Sequence, residues 1–310
     1  MKILITGGAG FIASHVTDAF LEEGHDVTVL DDLSTGFEKN INPKAKFVKM
    51  NICDPEVDSL FKKEKFDLLN HHAAQMDVRR SVADPAFDAN INIIGTINLL
   101  QNSVKHGIKK FMFASTGGAV YGEQIFFPAN EEHQTNPVSP YGISKLSVEK
   151  YLYYYQNEYG LKHTILRYAN IYGPRQNPFG EAGVVAIFCN KLLNGEQPII
   201  NGDGKQTRDY VYVQDVVKAN LLTLKDEISS VYNVGTGIEN DVNALFSKLN
   251  QIIGNGQFEK HGPPALGEQR RSVISSEKLF EKLHWKPSTT LEDGLKETVA
   301  FFEKNLSVNK

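Results

Sequence analysis

Several features that mark whole classes of protein are scarce or missing in this chain of 310 residues. Cysteine occurs twice, at Cys53 and Cys189, so no disulfide framework and no cysteine-based metal site is predicted. Lys and Arg number 33 against 37 Asp and Glu, a net charge of -4, which gives no basic surface for nucleic acid or an anionic membrane. No apolar run approaches the roughly 20 residues of a membrane span. We therefore expect no metal, no nucleic-acid partner and no membrane segment.

The first residues, MKILITGG, lack the basic-then-apolar layout of a signal peptide. Together with the scarcity of cysteine, this favours a reducing compartment, and we expect the cytoplasm. The composition, 41% hydrophobic and 23% charged, is that of a globular protein with a substantial core.

Strand and helix patterns alternate through the first half of the chain. Short apolar runs predict strands at residues 2–6, 26–30, 45–50, 66–70, 110–114 and 163–168. Apolar residues at helical spacing, with capping and stop residues, predict helices at about 11–24, 84–107 and 140–160. This alternation predicts an α/β fold of Rossmann type, a doubly wound parallel sheet with helices on both faces.

The rhythm changes after residue 172. Loops of turn formers follow, and helices are predicted near residues 182–193, 242–253, 276–283 and 291–304. We therefore divide the chain into a first domain, residues 1–172, and a smaller, mostly helical lobe, residues 173–310. The run VYNV is expected to return to the first sheet as a further strand near 231–235.

A glycine-rich turn follows the first predicted strand. Gly7, Gly8 and Gly10 lie where that strand passes into a helix, which is where a dinucleotide-binding fold brings its backbone close to a pyrophosphate. Such a turn is a weak signal alone. Asp31 strengthens it, because it ends the second strand about 20 residues further on, where a carboxylate can bind the ribose hydroxyls of NAD. The same carboxylate would repel a 2′-phosphate, so NAD is predicted and NADP is not. The alternative is an ordinary turn aspartate in DDLSTG.

Tyr141 and Lys145 lie four residues apart near the start of the predicted helix 140–160, so their side chains face the same way. A tyrosine ordinarily has a pKa near 10. We expect the neighbouring ammonium and the positive nicotinamide of NAD to lower the pKa of Tyr141, so that it can act as a base. Such a pair also arises by chance, and the helix carries further tyrosines that we interpret as packing residues: Tyr151, Tyr153, Tyr154 and Tyr155.

Seven motifs occur in order along the chain: TGGAGFI from Thr6, HHAAQMDVRRSV from His71, NIIGTINLL from Asn92, FASTGGAVYGE from Phe113, PYGISK from Pro140, LRYANIYGPR from Leu166 and RDYVYVQDV from Arg208. Together they cover essentially the whole chain. In this order they resemble the extended short-chain dehydrogenase/reductase family, and specifically its UDP-glucose 4-epimerase branch.

The resemblance implies an isomerase that interconverts UDP-glucose and UDP-galactose. Tyr141 would remove the proton of the sugar 4-hydroxyl while C4 passes hydride to NAD. The 4-keto sugar would then turn and receive the hydride back on its other face. Lys145 would bind the nicotinamide ribose and keep Tyr141 acidic. The resemblance also implies a homodimer built from the helices after Asp84 and Pro140.

A serine or threonine hydroxyl normally helps to hold the reacting oxygen in this family. Counting forward from Phe113 gives Thr116, whereas counting back from Val120 gives Gly117. We select Thr116, with Ser115 as the alternative.

The resemblance further implies two sets of binding residues. The NAD site would be formed by Gly7, Gly10, Phe11, Ile12, Asp31, Asp32, Ser34, Thr35, Gly36, Asn51, Ile52, Ala73, Ala74, Gln75, Asn92, Ser115, Tyr141, Lys145 and Tyr168. The UDP-sugar would be bound by Met76, Thr116, Asn170, Val184, Asn201, Arg208, Glu268 and Ser272. Residues 1–172 are accordingly expected to bind NAD and residues 173–310 to form the sugar-nucleotide lobe.

The sequence departs from the family pattern at several positions. Asn51 replaces an aspartate near the adenine. Ala265 stands where similar proteins carry an arginine for the diphosphate, a contact whose loss would cost about 1.5–3 kcal/mol in binding unless Arg270 or Arg271 compensates. Ser272 lies where similar enzymes gate the pocket beside the sugar C2 substituent, so we expect 2-acetamido sugars to be accepted too.

Three other functions are considered. A 4,6-dehydratase needs an acid and a base after the threonine, but Thr116 is followed by two glycines. A UDP-glucuronate 4-epimerase or decarboxylase differs only in pocket details, and decarboxylation again tends to use an extra carboxylate. A non-catalytic NAD sensor would typically lack the tyrosine or the lysine, and both are present.

Overall fold

The computed structural model describes residues 1–179, 183–264 and 269–308. Its strands, numbered along the chain, are β1 (Lys2–Thr6), β2 (Asp26–Asp31), β3 (Lys46–Lys49), β4 (Leu68–His71), β5 (Lys110–Thr116), β6 (Lys162–Tyr168), β7 (Asn170–Tyr172), β8 (Ile200–Asn201), β9 (Thr207–Tyr212), β10 (Ser230–Val234), β11 (Glu239–Asp241), β12 (His261–Gly262) and β13 (Arg271–Ser272).

The helices are α1 (Phe11–Glu22), α2 (Val57–Glu64), α3 (Val78–Ala83), α4 (Pro85–Ala89), α5 (Gly95–Lys105), α6 (Gly117–Val120), α7 (Pro140–Tyr159), α8 (Val184–Leu193), α9 (Val213–Leu224), α10 (Val242–Ile253), α11 (Glu277–Leu283) and α12 (Leu291–Val308). A short 3₁₀ turn covers Glu38–Asn40, and a π turn, Asn90–Ile94, joins α4 to α5.

Seven parallel strands form the main sheet, in the order β10-β6-β5-β4-β1-β2-β3. Helices cover both faces, so a central strand such as β1 is a continuous apolar run in which Ile3, Leu4 and Ile5 are fully buried. The doubly wound parallel sheet predicted from the sequence is confirmed. The strand order reverses between β1 and β4, which opens a crevice at the carboxyl ends of the strands.

A second, smaller sheet lies beyond the first. Its central strand is β9, which pairs with β7, β11 and β13. Helices α8, α10 and α12 pack around a separate apolar core that includes Phe188, Phe246 and Leu295. The later lobe is mostly helical, as predicted, and it also contains short strands that were not predicted, because strands of two or three residues carry too little pattern.

Two elements from the later part of the chain belong with the main sheet. Strand β10 pairs with β6, as the run VYNV predicts, and α9 packs against α1. The division of the chain into domains at residue 172 stays a prediction.

The helix predicted from residue 84 to 107 is present, and it runs without a gap from Pro85 to Lys105 with a π turn inside it. Its successive segments are α4, the π turn and α5. Side-chain bonds of Asn92 to a neighbouring loop accompany the π turn, and those bonds depend on tertiary contacts that no local pattern reports.

Candidate active site

The carboxyl ends of β1, β2, β4, β5 and β6 meet at one edge of the main sheet. In an open parallel sheet, ligands bind at this edge where the strand order reverses. The predicted site residues Gly7, Asp31, Ala73, Thr116 and Tyr168 lie at or just after these strand ends. The topology therefore gathers residues that are far apart in sequence around one crevice.

The turn after β1 requires glycine at Gly7. Its φ angle is +73°, in the left-handed region, and a Cβ atom there would lie 2.7 Å from the backbone nitrogen of Ala73. The Gly7 amide donates to the carbonyl of Leu30 at 2.8 Å. The glycine turn and the loop after β4 thus touch directly, with no space for a side chain between them.

The N-terminus of α1 is open to an anion. Gly10 is its N-cap and offers no side-chain hydrogen bond, and the first turn contains no acidic residue. The backbone N–H groups of that turn, with the positive end of the helix dipole, suit a pyrophosphate. Phe11 packs toward the second core and Ile12 toward the first, so this end of the helix is anchored in both cores.

Asp31 lies at the end of β2 beside the glycine turn. Its carboxylate accepts hydrogen bonds from the backbone N–H groups of Ala9, at 3.0 Å, and Leu33, at 2.8 Å. Burial raises its pKa, and these two bonds oppose the rise. An ionised carboxylate has about four lone-pair positions, so two are left for ribose hydroxyls.

Asp32 and Asn51 are joined at 2.7 Å, since the Asn51 amide donates to Asp32. The Asn51 oxygen accepts from the backbone N–H of Cys53 at 2.8 Å. Asn51 therefore already uses both ends of its amide within the protein. Other residues are predicted near the adenine ribose. Ile52 is buried in the core, and Ser34 and Thr35 lie in the loop after β2. A Cβ atom at Gly36 would lie 2.8 Å from Ala9.

The loop after β4 is fixed by paired amides. The Gln75 backbone N–H donates to the Asn92 side chain at 2.9 Å, and the Asn92 amide donates back to the Gln75 carbonyl at 2.8 Å. This exchange sets the position of Ala73 and Ala74, which line the crevice between β1 and β4. Three predicted cofactor residues and the π turn are thus held as one unit.

Tyr141 and Lys145 lie in the first turns of α7. Ser139 caps this helix by accepting from the Gly142 N–H at 3.1 Å, and Pro140 occupies the first helical position. The Lys145 ammonium donates to the carbonyl of Ala114 in β5 at 2.8 Å and lies 5.8 Å from the centre of the Tyr141 ring. The pair is therefore held against the end of β5.

The charges in this pair differ from the sequence prediction. Burial raises the pKa of Tyr141, and the Asp88 carboxylate raises it further. Burial lowers the pKa of Lys145 to about 8, opposed by the carboxylates of Asp88 and Glu149. The predicted lowering of the Tyr141 pKa included the positive nicotinamide of NAD, so it stays a prediction for the NAD complex, whereas in the protein alone burial raises this pKa.

The two candidate hydroxyls after β5 have different surroundings. Ser115 is buried and donates to Glu149 at 2.6 Å. Thr116, the next residue, lies on the opposite side of the strand and at the N-cap of α6. The Ser115 side chain is thus committed to the core, which leaves Thr116 as the hydroxyl next to the crevice.

Three predicted substrate residues meet around Gly118. A Cβ atom there would lie 3.8 Å from both Asn170 Oδ1 and Thr116 Oγ1, and 3.9 Å from Ser272 Oγ. The register explains the convergence, since Ser272 pairs with Arg208 and Asn170 pairs with Tyr210, two residues along β9. Residues two apart in a strand share a face, so Arg208 lies on the same face as this polar cluster.

Other residues predicted to bind substrate or cofactor do not lie in this polar cluster. Met76 and Asn201 are exposed, and Val184 begins α8. Tyr168 is buried and accepts a hydrogen bond from Asn220 at 2.9 Å, so its hydroxyl is already engaged. Ala265 and Glu268 lie outside the described residues.

The two arginines named as replacements for the missing diphosphate contact are already paired. Arg270 forms two bonds to Asp203, at 2.8 and 3.0 Å. Arg271 forms two bonds to Glu239, at 2.9 and 2.7 Å, and lies 3.6 Å from the centre of the Phe127 ring. Each arginine thus uses two of its five N–H donors on a carboxylate of the protein.

Two buried carboxylates, one packed against α7 and one on its buried face, were not predicted from the sequence. Asp88, in α4, has no exposed surface, and Glu149 forms a buried ion pair with Arg167 at 2.6 Å. Glu149 lies on a face of α7 that also buries Val148 and Leu152, and an acid on such a face is the signal that could have indicated it, whereas Asp88 is the sole buried residue of α4.

The sequence predicts no metal site, no membrane-spanning helix and no disulfide framework, and the described residues bear on each. Within residues 1–179, 183–264 and 269–308, no group of three His, Cys, Asp or Glu side chains could hold a metal ion. Over the same ranges, no helix combines the length and apolarity needed to cross a membrane. Cys53 and Cys189 are both free thiols.

The sequence profile of the "NAD dependent epimerase/dehydratase family" matches residues 3–235. The chain belongs to this family. The extended short-chain dehydrogenase/reductase resemblance is therefore confirmed, and so is NAD as the cofactor of the family.

Relatives of this NAD-dependent epimerase/dehydratase cover nearly the whole chain. The UDP-glucose 4-epimerase of Mycolicibacterium smegmatis is 42% identical and covers 97% of this chain and 98% of its own. The crystal structure of the Thermotoga maritima UDP-glucose 4-epimerase with UDP-glucose is 50% identical, with a TM-score of 0.97 over 99% of this chain and 100% of that one. A UDP-N-acetylglucosamine 4-epimerase from Methanobrevibacter ruminantium, in complex with UDP-N-acetylmuramic acid, is 34% identical, with a TM-score of 0.93 over 98% of both chains.

Proposed function

We propose that this protein is a UDP-hexose 4-epimerase that interconverts UDP-glucose and UDP-galactose and also accepts UDP-N-acetylhexosamines. The observation that carries the proposal is the juxtaposition of the Tyr141–Lys145 pair with the polar cluster of Thr116, Asn170 and Ser272. The Lys145 ammonium bonds to Ala114, two residues before Thr116. A Cβ at Gly142, next to Tyr141, would lie 2.9 Å from the Ala119 carbonyl of α6. These contacts bring the helix that carries the proposed base close to the three polar groups.

Tyr141 Oη is the group we propose to take the proton of the sugar 4-hydroxyl, and to return it after the 4-keto sugar has presented its other face. Thr116 would hold the reacting oxygen. Asn170 and Arg208 would bind the sugar diphosphate, for which a guanidinium is well suited. Because each proton and hydride that leaves the sugar returns to it, the reaction has no net oxidation.

The residues at the crevice fit NAD. The turn at Gly7, the uncapped N-terminus of α1 and the partly used carboxylate of Asp31 provide for a pyrophosphate and a ribose. When bound, NAD would supply the two-electron acceptor that takes the C4 hydrogen as hydride and gives it back. Lys145 would bind the nicotinamide ribose, exchanging part of its bond to Ala114.

A dehydratase is less well supported. Thr116 is followed by Gly117 and Gly118, and a Cβ at Gly117 would lie 2.6 Å from the Ile274 side chain. An acid and a base for elimination would have to stand at these positions, and there is no space for the first.

Incubation with UDP-galactose tests the proposal. We expect UDP-glucose to appear until a fixed ratio is reached, with no net NADH, as followed from the anomeric protons by NMR. UDP-N-acetylglucosamine should be converted at a comparable rate, because Ser272 leaves room beside the sugar C2 substituent. No conversion of either substrate by the NAD-saturated protein, with UDP-glucuronate turned over instead, would contradict the assignment.

We also propose a homodimer formed by the helix after Asp84, which comprises α4, the π turn and α5, and the helix after Pro140, which is α7. The later tyrosines of α7 are not all packing residues: Tyr155 is buried, whereas Tyr151, Tyr153 and Tyr154 are exposed, because only the spacing 148, 152, 155 faces the sheet. Tyr151 and Tyr154 line a groove with Ser147 and Lys150. Exposed Ile94 and Ile143 on the same pair of helices add apolar surface that a second copy would cover.

Light scattering after size exclusion measures this assembly. The native protein is expected at twice the chain mass of 34.6 kDa. Tyr154→Asp places a charge in the groove and should yield the monomer, whereas Tyr153→Asp, outside the groove, should remain dimeric. A monomeric native protein at micromolar concentration would overturn the proposal. The cytoplasmic location stays a prediction.

A further inference from the structure

Asp88 is a carboxylate with no exposed surface and no direct ion pair among the described residues. It is instead held by three hydrogen bonds. Its Oδ2 accepts from the Ser144 hydroxyl at 2.6 Å, and its Oδ1 accepts from the side-chain amides of Gln75 and Asn92, both at 3.0 Å. A buried carboxylate without an adjacent cation is costly, so a position that retains one has a use for its charge.

The three donors to Asp88 come from three different parts of the site. Ser144 belongs to α7 and is the neighbour of Lys145, three residues after Tyr141. Gln75 belongs to the loop that lines the crevice after β4, and Asn92 to the π turn. Asp88 is therefore the point at which the catalytic helix is tied to the loop proposed to bind the cofactor.

Asp88 also supplies negative charge to the catalytic pair. Its carboxylate raises the pKa of both Tyr141 and Lys145. For the lysine, this favours the ammonium against the burial that lowers its pKa. For the tyrosine, it favours the neutral phenol.

Other titratable and charged groups surround the pair and α4. His71 ends β4 and His72 follows it, and burial lowers the pKa of both, that of His72 to about 3, so neither carries charge near neutral pH. Glu149 is paired with Arg167 and raises the pKa of Lys145 but has no such effect on Tyr141. The charged groups on the adjoining α3 and its cap are Asp77, Arg79 and Arg80. Asp88 is thus the unpaired buried charge that both catalytic groups experience.

We propose that Asp88 is a positioning residue: it sets the charge state of the Tyr141–Lys145 pair and ties α7 to the loop of Ala73, Ala74 and Gln75. This rests on the proposed function, in which Tyr141 is the base. The negative charge keeps Lys145 as an ammonium in a buried place, at the cost of a less acidic Tyr141.

The Asp88→Asn variant removes the charge and can keep the bonds. The new Oδ1 can accept from Gln75 and Asn92, and the new amide can donate to Ser144, whose hydroxyl rotates to accept. Without the carboxylate, Lys145 loses its proton more readily and Tyr141 does too. The pH profile of kcat/KM has a rising limb from Tyr141 ionisation and a falling limb from Lys145 deprotonation. We therefore expect both limbs to move to lower pH by roughly one unit.

A second readout requires neither substrate nor cofactor. In protein labelled with ¹³Cε-lysine, the resonance of Lys145, assigned by its loss in Lys145→Met, should titrate near pH 8 in the native protein and lower in Asp88→Asn. The matched control is Asp84→Asn, which replaces an exposed N-cap of the same helix with an equally good capping residue and should move neither limb nor resonance.

Ser144→Ala examines the tie separately. It removes the 2.6 Å bond to Asp88 and leaves the charge, so kcat should fall several-fold while both limbs stay in place. A folded, active Asp88→Asn protein with an unmoved Lys145 titration would overturn the electrostatic role, and an unchanged kcat in Ser144→Ala would overturn the tie. An inactive native protein would instead count against the proposed epimerase, and the lysine titration would still decide this inference.

Discussion

Replacing Tyr141 with phenylalanine is expected to lower kcat for UDP-galactose by about 10²–10⁴-fold, the range that a positioned proton-transfer group contributes. The ring remains in place, and the hydroxyl forms no hydrogen bond with another of the described residues, so the fold should be unaffected. Steady-state kinetics measures the loss, and the thermal midpoint establishes that the variant is folded.

Tyr153→Phe is the matched control, since it makes the same change on the same helix at an exposed position. It should leave kcat unchanged. A Tyr141→Phe protein that retains more than about a tenth of the native kcat would show that another group moves the proton, and Thr116 would then be the first to examine.

The role of Tyr141 should also appear in the pH dependence of the native enzyme's activity. Burial and Asp88 hold the pKa of Tyr141 above its usual value in the protein alone, so the phenol is neutral at pH 7. The phenolate therefore needs a positive charge close to it, which the Lys145 ammonium supplies only below its own pKa of about 8. In the NAD complex, where the positive nicotinamide is expected to bring the pKa of Tyr141 below that of Lys145, activity should rise with pH through Tyr141 ionisation and fall as Lys145 loses its proton.

The main sheet could be predicted because its strands are buried on both faces. The run from Ile3 to Ile5 and the run in β5 are continuous apolar segments bounded by turn formers, and their lengths suit strands. The short strands β8 and β12 could not be predicted in this way. Each has two residues, and their pairing joins positions about sixty residues apart.

The site was predicted unevenly for a related reason. Tyr141, Lys145 and the glycine turn lie in local motifs, and the structure brings them to one edge of the sheet. Counting along the motif gave either Thr116 or Gly117, with Ser115 as the alternative hydroxyl. The alternation of β5 distinguishes the two hydroxyls, because it turns Ser115 toward Glu149. Asp88 could not be predicted as a site residue, since its proposed role depends on which groups surround it in space.

The sign of the Tyr141 pKa shift shows the same limit. Spacing along α7 indicates that an ammonium is near, and this alone would lower the pKa. Burial, which the sequence does not report, has the opposite effect and is the main cause of the raised Tyr141 pKa in the protein alone.

A second large effect is expected on stability. Glu149 and Arg167 are joined by two bonds, at 2.6 and 3.0 Å, with both side chains nearly inaccessible. Ser115 donates to Glu149, and Arg167 donates to the Tyr121 hydroxyl at 2.9 Å. The pair therefore lies within a hydrogen-bonded network that joins α7 to β5 and β6 directly beneath Lys145.

Glu149→Gln should lower the free energy of unfolding by about 3–5 kcal/mol, because it leaves the Arg167 guanidinium buried without a counter-charge. Urea unfolding followed by far-UV circular dichroism measures the change. Glu227→Gln breaks the exposed pair with Lys162 and serves as the control, with a much smaller effect expected, since water already surrounds both charges. A change at Glu149 no larger than that of the control would mean that the network is satisfied without the ion pair.

Because Glu149 lies one turn beyond Lys145, the variant should also lower the Lys145 pKa further, so the alkaline limb of activity should move to lower pH as stability falls.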